Sequence, residues 1–333
     1  MKNKTCLVTG CAGFIGSHIT EKLLKSKNIV IGLDNLSSGN KKNMQIFLKE
    51  KNFIFYKGDL KNIKSILNRI NKLDYIFHFA GNGEIIPSIE NPISYFENNS
   101  FNTAKLIDFI KEKKFNIKKF VYAASSTCYG KINRKTNEKA KINIEHPYAF
   151  SKYVGEQICL HWGKIYKIPV ISIRIFNAYG PRSRTSGAYG AVIGVFLKQK
   201  LSGYPLTIVG KGNQKRDFLY ISDLVDAFIK VSKSRYKNEI FNLGYGNAKK
   251  VKYLADLISS NQTKIPWRAG EPMITEANIE KIKKAVSWNP KIHFKKGINI
   301  VLTNIDYWKN APLWTKKKIK KTMKNWNKFI TDK

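Results

Sequence analysis

The sequence predicts an α/β protein, a doubly wound parallel sheet followed by a smaller C-terminal α/β region. Three observations predict it. Through the first half, apolar runs of strand length alternate with longer segments of helical period, the pattern of successive strand–helix–strand units. A glycine-rich turn directly follows the first apolar run. From about residue 177 the rhythm gives way to Gly-, Pro- and Ser-rich loops, such as Tyr179-Gly180-Pro181-Arg182 and Thr185-Ser186-Gly187, and to shorter elements. The expected domains are therefore 1–176 and 177–333, with some segments of the second half returning to the first. A chain of 333 residues is long enough to bury two cores.

The first strand, 5–9, runs into Thr9-Gly10-Cys11-Ala12-Gly13-Phe14-Ile15-Gly16, which opens a helical segment over 15–25. Glycines let the backbone approach a pyrophosphate, and a helix N-terminus offers free N–H groups at the positive end of its dipole. The second strand, 29–34, ends in Asp34, 18 residues beyond Gly16. An acidic side chain there accepts hydrogen bonds from the adenosine ribose and repels a 2′-phosphate. Strand, turn, helix, strand and acid together make this half Rossmann-type and its cofactor NAD rather than NADP. After the third strand, 53–56, comes Gly58-Asp59-Leu60, suited to cap the adenine. After the fourth, 75–79, Phe79-Ala80-Gly81 is small enough for the cofactor to cross the sheet edge. Either of these two, taken alone, is also an ordinary turn. Segments 63–70 and 93–111 read as helices, 119–123 as the fifth strand, 149–162 as a helix and 170–175 as the sixth strand.

Tyr148-Ala149-Phe150-Ser151-Lys152 places a tyrosine and a lysine on one helical face. A free phenol, with pKa near 10, is a poor base at neutral pH, and a cation one turn on favours its phenolate. Ser125-Ser126-Thr127 follows the fifth strand, and a serine hydroxyl there can bond a substrate hydroxyl beside the tyrosine.

The composition, 43% hydrophobic and 25% charged, is that of a soluble globular protein and excludes disorder, collagen and coiled coil. No apolar run reaches the roughly 18 residues of a membrane span, and Met1-Lys2-Asn3-Lys4 leads straight into a strand, so the expected location is the cytoplasm. Cys6, Cys11, Cys128 and Cys159 show no CxxC spacing and sit in core-like elements, which fits reduced thiols and no metal. The net charge of +37 raises a nucleic-acid partner, but only eight of the 60 basic residues are arginine and the lysines are spread along the chain. A phosphate-reading surface favours Arg and gathers its charge on one face, so no specific nucleic acid is expected. Segment 312–333 sets Trp314, Ile319, Met323, Trp326 and Ile330 near one helical face and lysines on the other. This reads as a terminal helix docked on its own domain, with an anionic membrane as the alternative.

The ordered set TGCAGFIGSH, Asp34-Asn35, GDL, HFAG, ENNS around Asn99, AASSTCYG, YAFSK, RIFNAYGPR, GKGNQKRDFLYISD and WRAGE resembles the extended short-chain dehydrogenase/reductase family along nearly the whole chain. The resemblance is to its NAD-dependent nucleotide-sugar epimerases and dehydratases, above all the UDP-glucose/UDP-galactose 4-epimerases. It implies catalytic Ser125, Tyr148 and Lys152. The cofactor would lie on Gly10, Gly13, Phe14, Ile15, Gly16, Asp34, Asn35, Asp59, Leu60, Phe79, Ala80, Gly81 and Asn99, together with Tyr148 and Lys152. It further implies a nucleotide-sugar site: Arg216 and Arg268 clamping the diphosphate, Glu271 on the nucleotide ribose, Asn177 at the diphosphate, Ser125 and Ser126 near the sugar, and Thr275 beside its C2 substituent. Guanidinium forks match phosphate oxygens independently of the resemblance. A homodimer built on helices 93–111 and 149–162 is also implied.

Two departures matter. The Asp-Glu pair of the 4,6-dehydratases, and the Glu of the decarboxylases, are replaced by Ser126 and Thr127, and Gly83 within an unfamiliar 82–87 stretch stands where hexose 4-epimerases often carry Lys. The expected activity is a 4-epimerase of a UDP-hexose or UDP-N-acetylhexosamine, through a transient 4-keto sugar. The alternatives are a reductase, dehydrogenase or decarboxylase of the same family, or a non-catalytic NAD-binding protein that holds a polyanion.

Overall fold

Strand-forming runs rich in Val, Ile and Phe line up as one sheet in the computed structural model, which describes residues 1–183 and 191–330. Arg184 and the Thr185-Ser186-Gly187 loop lie outside the described residues. The sheet comprises β1 (Thr5–Thr9), β2 (Ile29–Asp34), β3 (Phe53–Lys57), β4 (Tyr75–His78), β5 (Lys119–Ser125), β6 (Val170–Ile175) and β7 (Glu239–Leu243). Their order is β7-β6-β5-β4-β1-β2-β3, and every neighbouring pair is parallel. Helices cover both faces, which is why β5 is buried at every position. The direction of winding reverses between β1 and β4, and ligands of such sheets bind at that crevice, beyond the C-terminal strand ends.

Several elements differ from the sequence reading, each for a local reason. The strand expected over 119–123 continues to Ser125, which pairs with Ile175. The one expected over 75–79 ends at His78. Of the helix expected over 63–70, only Ile63–Ile66 forms, after a 3₁₀ turn at Leu60–Asn62 capped by the Asp59 carboxylate on the Lys61 N–H. The helix expected over 93–111 is interrupted: a turn at Pro92–Phe96 widens into a π turn at Glu97–Phe101 before α2 (Asn102–Glu112) resumes. Such widenings cluster at functional sites, and this one carries Asn99 inward. The long helix α3 (Pro147–Ile165) begins on Pro147, with the His146 ring capping it.

Chain from both halves crosses the expected boundary at 176/177. β7 and the helix α4 (Ile221–Lys233), which packs on α1 (Phe14–Lys25), belong with the first sheet. Lys135–Thr136 joins the C-terminal sheet, whose order is Lys249–Lys250, Lys215–Arg216, Ile274–Ala277, Lys135–Thr136. Two parallel pairs complete that region, Phe218–Tyr220 with Asn177–Tyr179 and Gln262–Ile265 with Leu206–Val209. The last helix, α5 (Lys316–Phe329), buries Ile319, Met323 and Trp326 against Ile85, Ile86, Ile89, Val209 and Ile265. Its apolar stripe is therefore occupied by its own chain. All four cysteines are buried free thiols. Among the described residues no helix is long and apolar enough to cross a membrane.

Candidate active site

The glycine turn sits at the switch point, and its geometry leaves no room for side chains. Gly10 adopts φ +72, and a Cβ there would come within 2.8 Å of the Ala80 nitrogen. A Cβ at Gly16 would lie 2.0 Å from the Gly10 oxygen. Gly13 starts α1 with no side-chain cap, and the first turn carries no acid, so no side chain of that turn competes for the first N–H groups. Residues Phe14 and Ile15 form its opening turn. This bare cradle fits the pyrophosphate of a dinucleotide.

Asp34 closes the cradle. Its carboxylate accepts from the Ala12 and Leu36 N–H groups at 2.9 and 2.8 Å, which ties the turn to the end of β2. A carboxylate has further lone pairs, so ribose hydroxyls can still be accepted. Burial raises its pKa above the ordinary value. Asn35 donates to Asp59 at 2.8 Å and thus joins the ends of β2 and β3, with Leu60 buried behind them. At the end of β4, Ala80 donates to Thr9 Oγ1 at 3.2 Å, and Phe79 packs 5.2 Å from Phe228.

Asn99 is 1% exposed, and its amide is fully engaged. It accepts from the Asn82 N–H and donates to Asn82 O and Ser151 Oγ. A Cβ on Gly81 would come within 2.3 Å of its oxygen. Asn99 thus holds the Gly81–Asn82 backbone in position.

Ser125, Tyr148 and Lys152 are brought together. Ser125 ends β5 and exchanges hydrogen bonds with Thr127 through its hydroxyl, at 2.9 Å from Thr127 Oγ1. Half-buried Ser126 opens the 3₁₀ turn that follows. Tyr148 lies on the first turn of α3, where burial raises its pKa and a hydrogen bond with Ser125 favours the phenolate to a lesser degree. Lys152, expected from its place one turn on to favour the phenolate, is buried on the same helix. The Lys152 ammonium rests over the Tyr122 ring, 4.4 Å from its centroid, and burial of the phenol is the stronger effect. Burial also pushes Lys152 down to about 8.

That value has a consequence for activity. Lys152 carries its charge below about pH 8 and loses it above, so kcat/KM should fall on the alkaline side of that value. Lys152→Arg, which stays charged, should move the alkaline limb upward. An alkaline limb at the same pH in both proteins would count against Lys152 as its source.

Several neighbours of the trio carried no sequence signal of their own. His78 is fully buried between Thr9 Oγ1 (2.6 Å) and Thr103 Oγ1 (2.9 Å), and Thr103 donates to Asn99 O. Burial pushes its pKa down to about 3. Tyr95 meets the Tyr148 ring edge-on at 6.3 Å. His146 stacks on Tyr148 at 5.9 Å with 3° between the planes. The His146-Pro147 pair was readable as a helix start, but its stacking was not.

Across the crevice, the C-terminal sheet sets Arg216 directly beside Thr275, and the Thr275 hydroxyl donates to Asn177 at 3.3 Å. Arg216 donates to Pro272 O and pairs with Glu271 at 2.6 Å, while Arg268 pairs with the other Glu271 oxygen at 2.7 Å. Glu271 thus bridges both guanidinium groups. Two positive charges against one negative leave the cluster attractive to an anion.

The model of the NAD dependent epimerase/dehydratase family matches residues 6–244. The chain is 35% identical over 306 residues to an uncharacterized UDP-glucose epimerase of Bacillus subtilis, spanning 88% of this chain and 95% of that one. It superposes with a TM-score of 0.83 and 30% identity on the UDP-N-acetylglucosamine 4-epimerase of Methanobrevibacter ruminantium M1 solved with UDP-N-acetylmuramic acid, covering 91% of this chain and 100% of that one. The UDP-glucuronic acid 4-epimerase of Bacillus cereus, solved with UDP-glucuronic acid and NAD, superposes with a TM-score of 0.81 at 28% identity over 92% and 99% of the two chains.

Proposed function

From the membership of this chain in the NAD dependent epimerase/dehydratase family, we propose that it is a nucleotide-sugar 4-epimerase acting on a UDP-hexose or UDP-N-acetylhexosamine. The observation that carries this reading is the Ser125–Tyr148 pair at the end of β5 with no acid beside it, since Ser126 and Thr127 fill the places after Ser125. Ser126 and Thr127 thus stand where the dehydratases carry their Asp-Glu pair and the decarboxylases their Glu, which favours neither elimination across C5–C6 nor loss of a carboxylate.

The glycine cradle, Asp34 and the Phe79–Gly81 edge would hold NAD, which supplies a hydride acceptor and donor when bound. Tyr148 takes the proton of the sugar C4 hydroxyl and later returns it. Ser125 bonds the same hydroxyl and steadies the phenolate. Lys152, charged below about pH 8, favours that phenolate. Arg216, Arg268 and Asn177 hold the diphosphate, so the sugar stays tethered by its nucleotide while the 4-keto form turns over. Thr275 is small, which leaves space beside C2 for an N-acetyl group.

Exposed Ile93, Phe96, Phe101 and Phe150 form an apolar stripe along the 92–112 helices and α3, with Phe96 and Phe150 stacked at 6.4 Å. This stripe supports a homodimer through those helices. Light scattering should then give twice the 38.2 kDa chain mass, and Phe101→Asp should give the monomer.

The activity itself is tested with C4-deuterated UDP-sugars, UDP-GlcNAc included, in H₂O and with unlabelled ones in D₂O. An epimerase returns deuterium to C4, accumulates no NADH and takes up no solvent deuterium on carbon. Loss of water with solvent label at C5 or C6, release of CO₂, or stoichiometric NADH would each replace the reading with a dehydratase, a decarboxylase or a dehydrogenase.

A further inference from the structure

The buried face of α5 reaches both halves of the site. Trp326, 6% exposed, donates its indole N–H to Ala269 O at 2.8 Å, one residue from Arg268. The Arg268 guanidinium lies over the same ring, 6.0 Å from its centroid. Gly270 adopts φ +76, and a Cβ there would come within 2.5 Å of Ile330 and 3.4 Å of Trp326, so the loop is moulded to the end of this helix.

On its other side Trp326 meets His146, with ring centroids 6.3 Å apart and planes tilted by 50°. His146 Nδ1 accepts the Ala149 N–H, which leaves the ring proton on Nε2. Burial pushes its pKa down to about 4, so the ring is neutral at working pH. Trp326 therefore stands between the arginine loop and the ring stacked on Tyr148, and Ile319 and Met323 anchor its helix to the 85–89 segment.

Resting on the nucleotide-sugar reading, we propose that Trp326 is a positioning residue for the substrate. By holding Ala269 and facing Arg268 it fixes the second guanidinium at the diphosphate, so the site is incomplete without the C-terminal helix. Arg268 is the less buried of the two arginines and has its Glu271 contact at the tip of the same loop. Removing the indole leaves that loop free to carry its cation away. Loss of one hydrogen bond and one cation–ring contact weakens nucleotide binding about tenfold.

The test uses the full-length chain as wild type, Trp326→Phe, Trp326→Ala and Lys324→Ala, the last on the exposed face of the helix. UDP affinity is measured by calorimetry, alongside kcat and KM for the best nucleotide sugar, NAD binding and Tm. Trp326→Ala should raise the UDP Kd and the KM about tenfold, and Trp326→Phe, which keeps a ring but loses the N–H, about threefold. The kcat of Trp326→Phe should stay within about threefold of wild type, with NAD affinity and Tm unchanged and Lys324→Ala indistinguishable from wild type. UDP affinity and KM within twofold of wild type in Trp326→Phe and Trp326→Ala would overturn the proposal. So would a joint fall of kcat, NAD affinity and Tm in Trp326→Phe, which marks a merely structural role. A wild-type protein that converts no nucleotide sugar would remove the functional reading, while its UDP affinities would still decide the positioning role.

Discussion

Tyr148→Phe should lower kcat about 10²–10⁴-fold, the usual contribution of a positioned acid–base group, while the protein folds normally and still binds NAD. The phenylalanine keeps the ring that stacks on His146 and meets Tyr95, so the packing around the first turn of α3 survives. What is lost is a buried hydroxyl that shares a hydrogen bond with Ser125. Turnover assays with a matched Tm measurement check this. A variant with near-normal kcat would mean that proton transfer at C4 uses another group, and the proposed mechanism would fall with it.

Arg174→Met should be strongly destabilising. Arg174, on β6, and Glu156, on α3, form a buried pair at 2.5 Å, and Ser172 donates to the same carboxylate. Arg174 also donates to Tyr129, which donates to Asn242 on β7, so four elements meet there. Taking away one partner strands the other charge in the interior and costs about 3–5 kcal/mol. At the usual unfolding entropy per residue, a chain of this length should lose about 4–7 °C in Tm. The double variant Arg174→Met with Glu156→Leu removes both charges and should recover most of the loss. Thermal unfolding of the three proteins decides it: a single variant as stable as wild type would show that the pair is not tightly coupled to the fold.

Much of the site could be read in the chain because it depends on local chemistry. Glycines at 10, 13 and 16 are demanded by contacts with the backbone of their own turn and of the next strand end. Asp34 is set by the length of one strand–helix–strand unit, and Tyr148 and Lys152 meet because four residues make one helical turn. The sheet itself follows from apolar runs at strand length alternating with helical period. These features rest on short separations, where backbone geometry leaves few options.

Features that join distant segments were not legible. The π turn at Glu97–Phe101 sets the Asn99 amide on the Asn82 backbone and on Ser151. Helical period alone does not reveal such a widening. The Lys152 ammonium rests over the Tyr122 ring, 30 residues away in sequence, and burial lowers the lysine pKa while raising that of Tyr148. Glu271 bridges Arg216 and Arg268 only because a strand pair and a loop bring them within ion-pair distance. The return of β7 to the first sheet and the docking of Trp326 beside His146 are likewise outcomes of packing between elements. The sequence by itself determined the fold class, the glycine turn and the proposed trio of Ser125, Tyr148 and Lys152, because each is encoded in short-range spacing and residue chemistry. Tertiary structure alone decided the protonation balance of that trio, the pairing of the arginines and the reach of the C-terminal helix, because burial and charge proximity arise only when segments far apart in the chain come into contact.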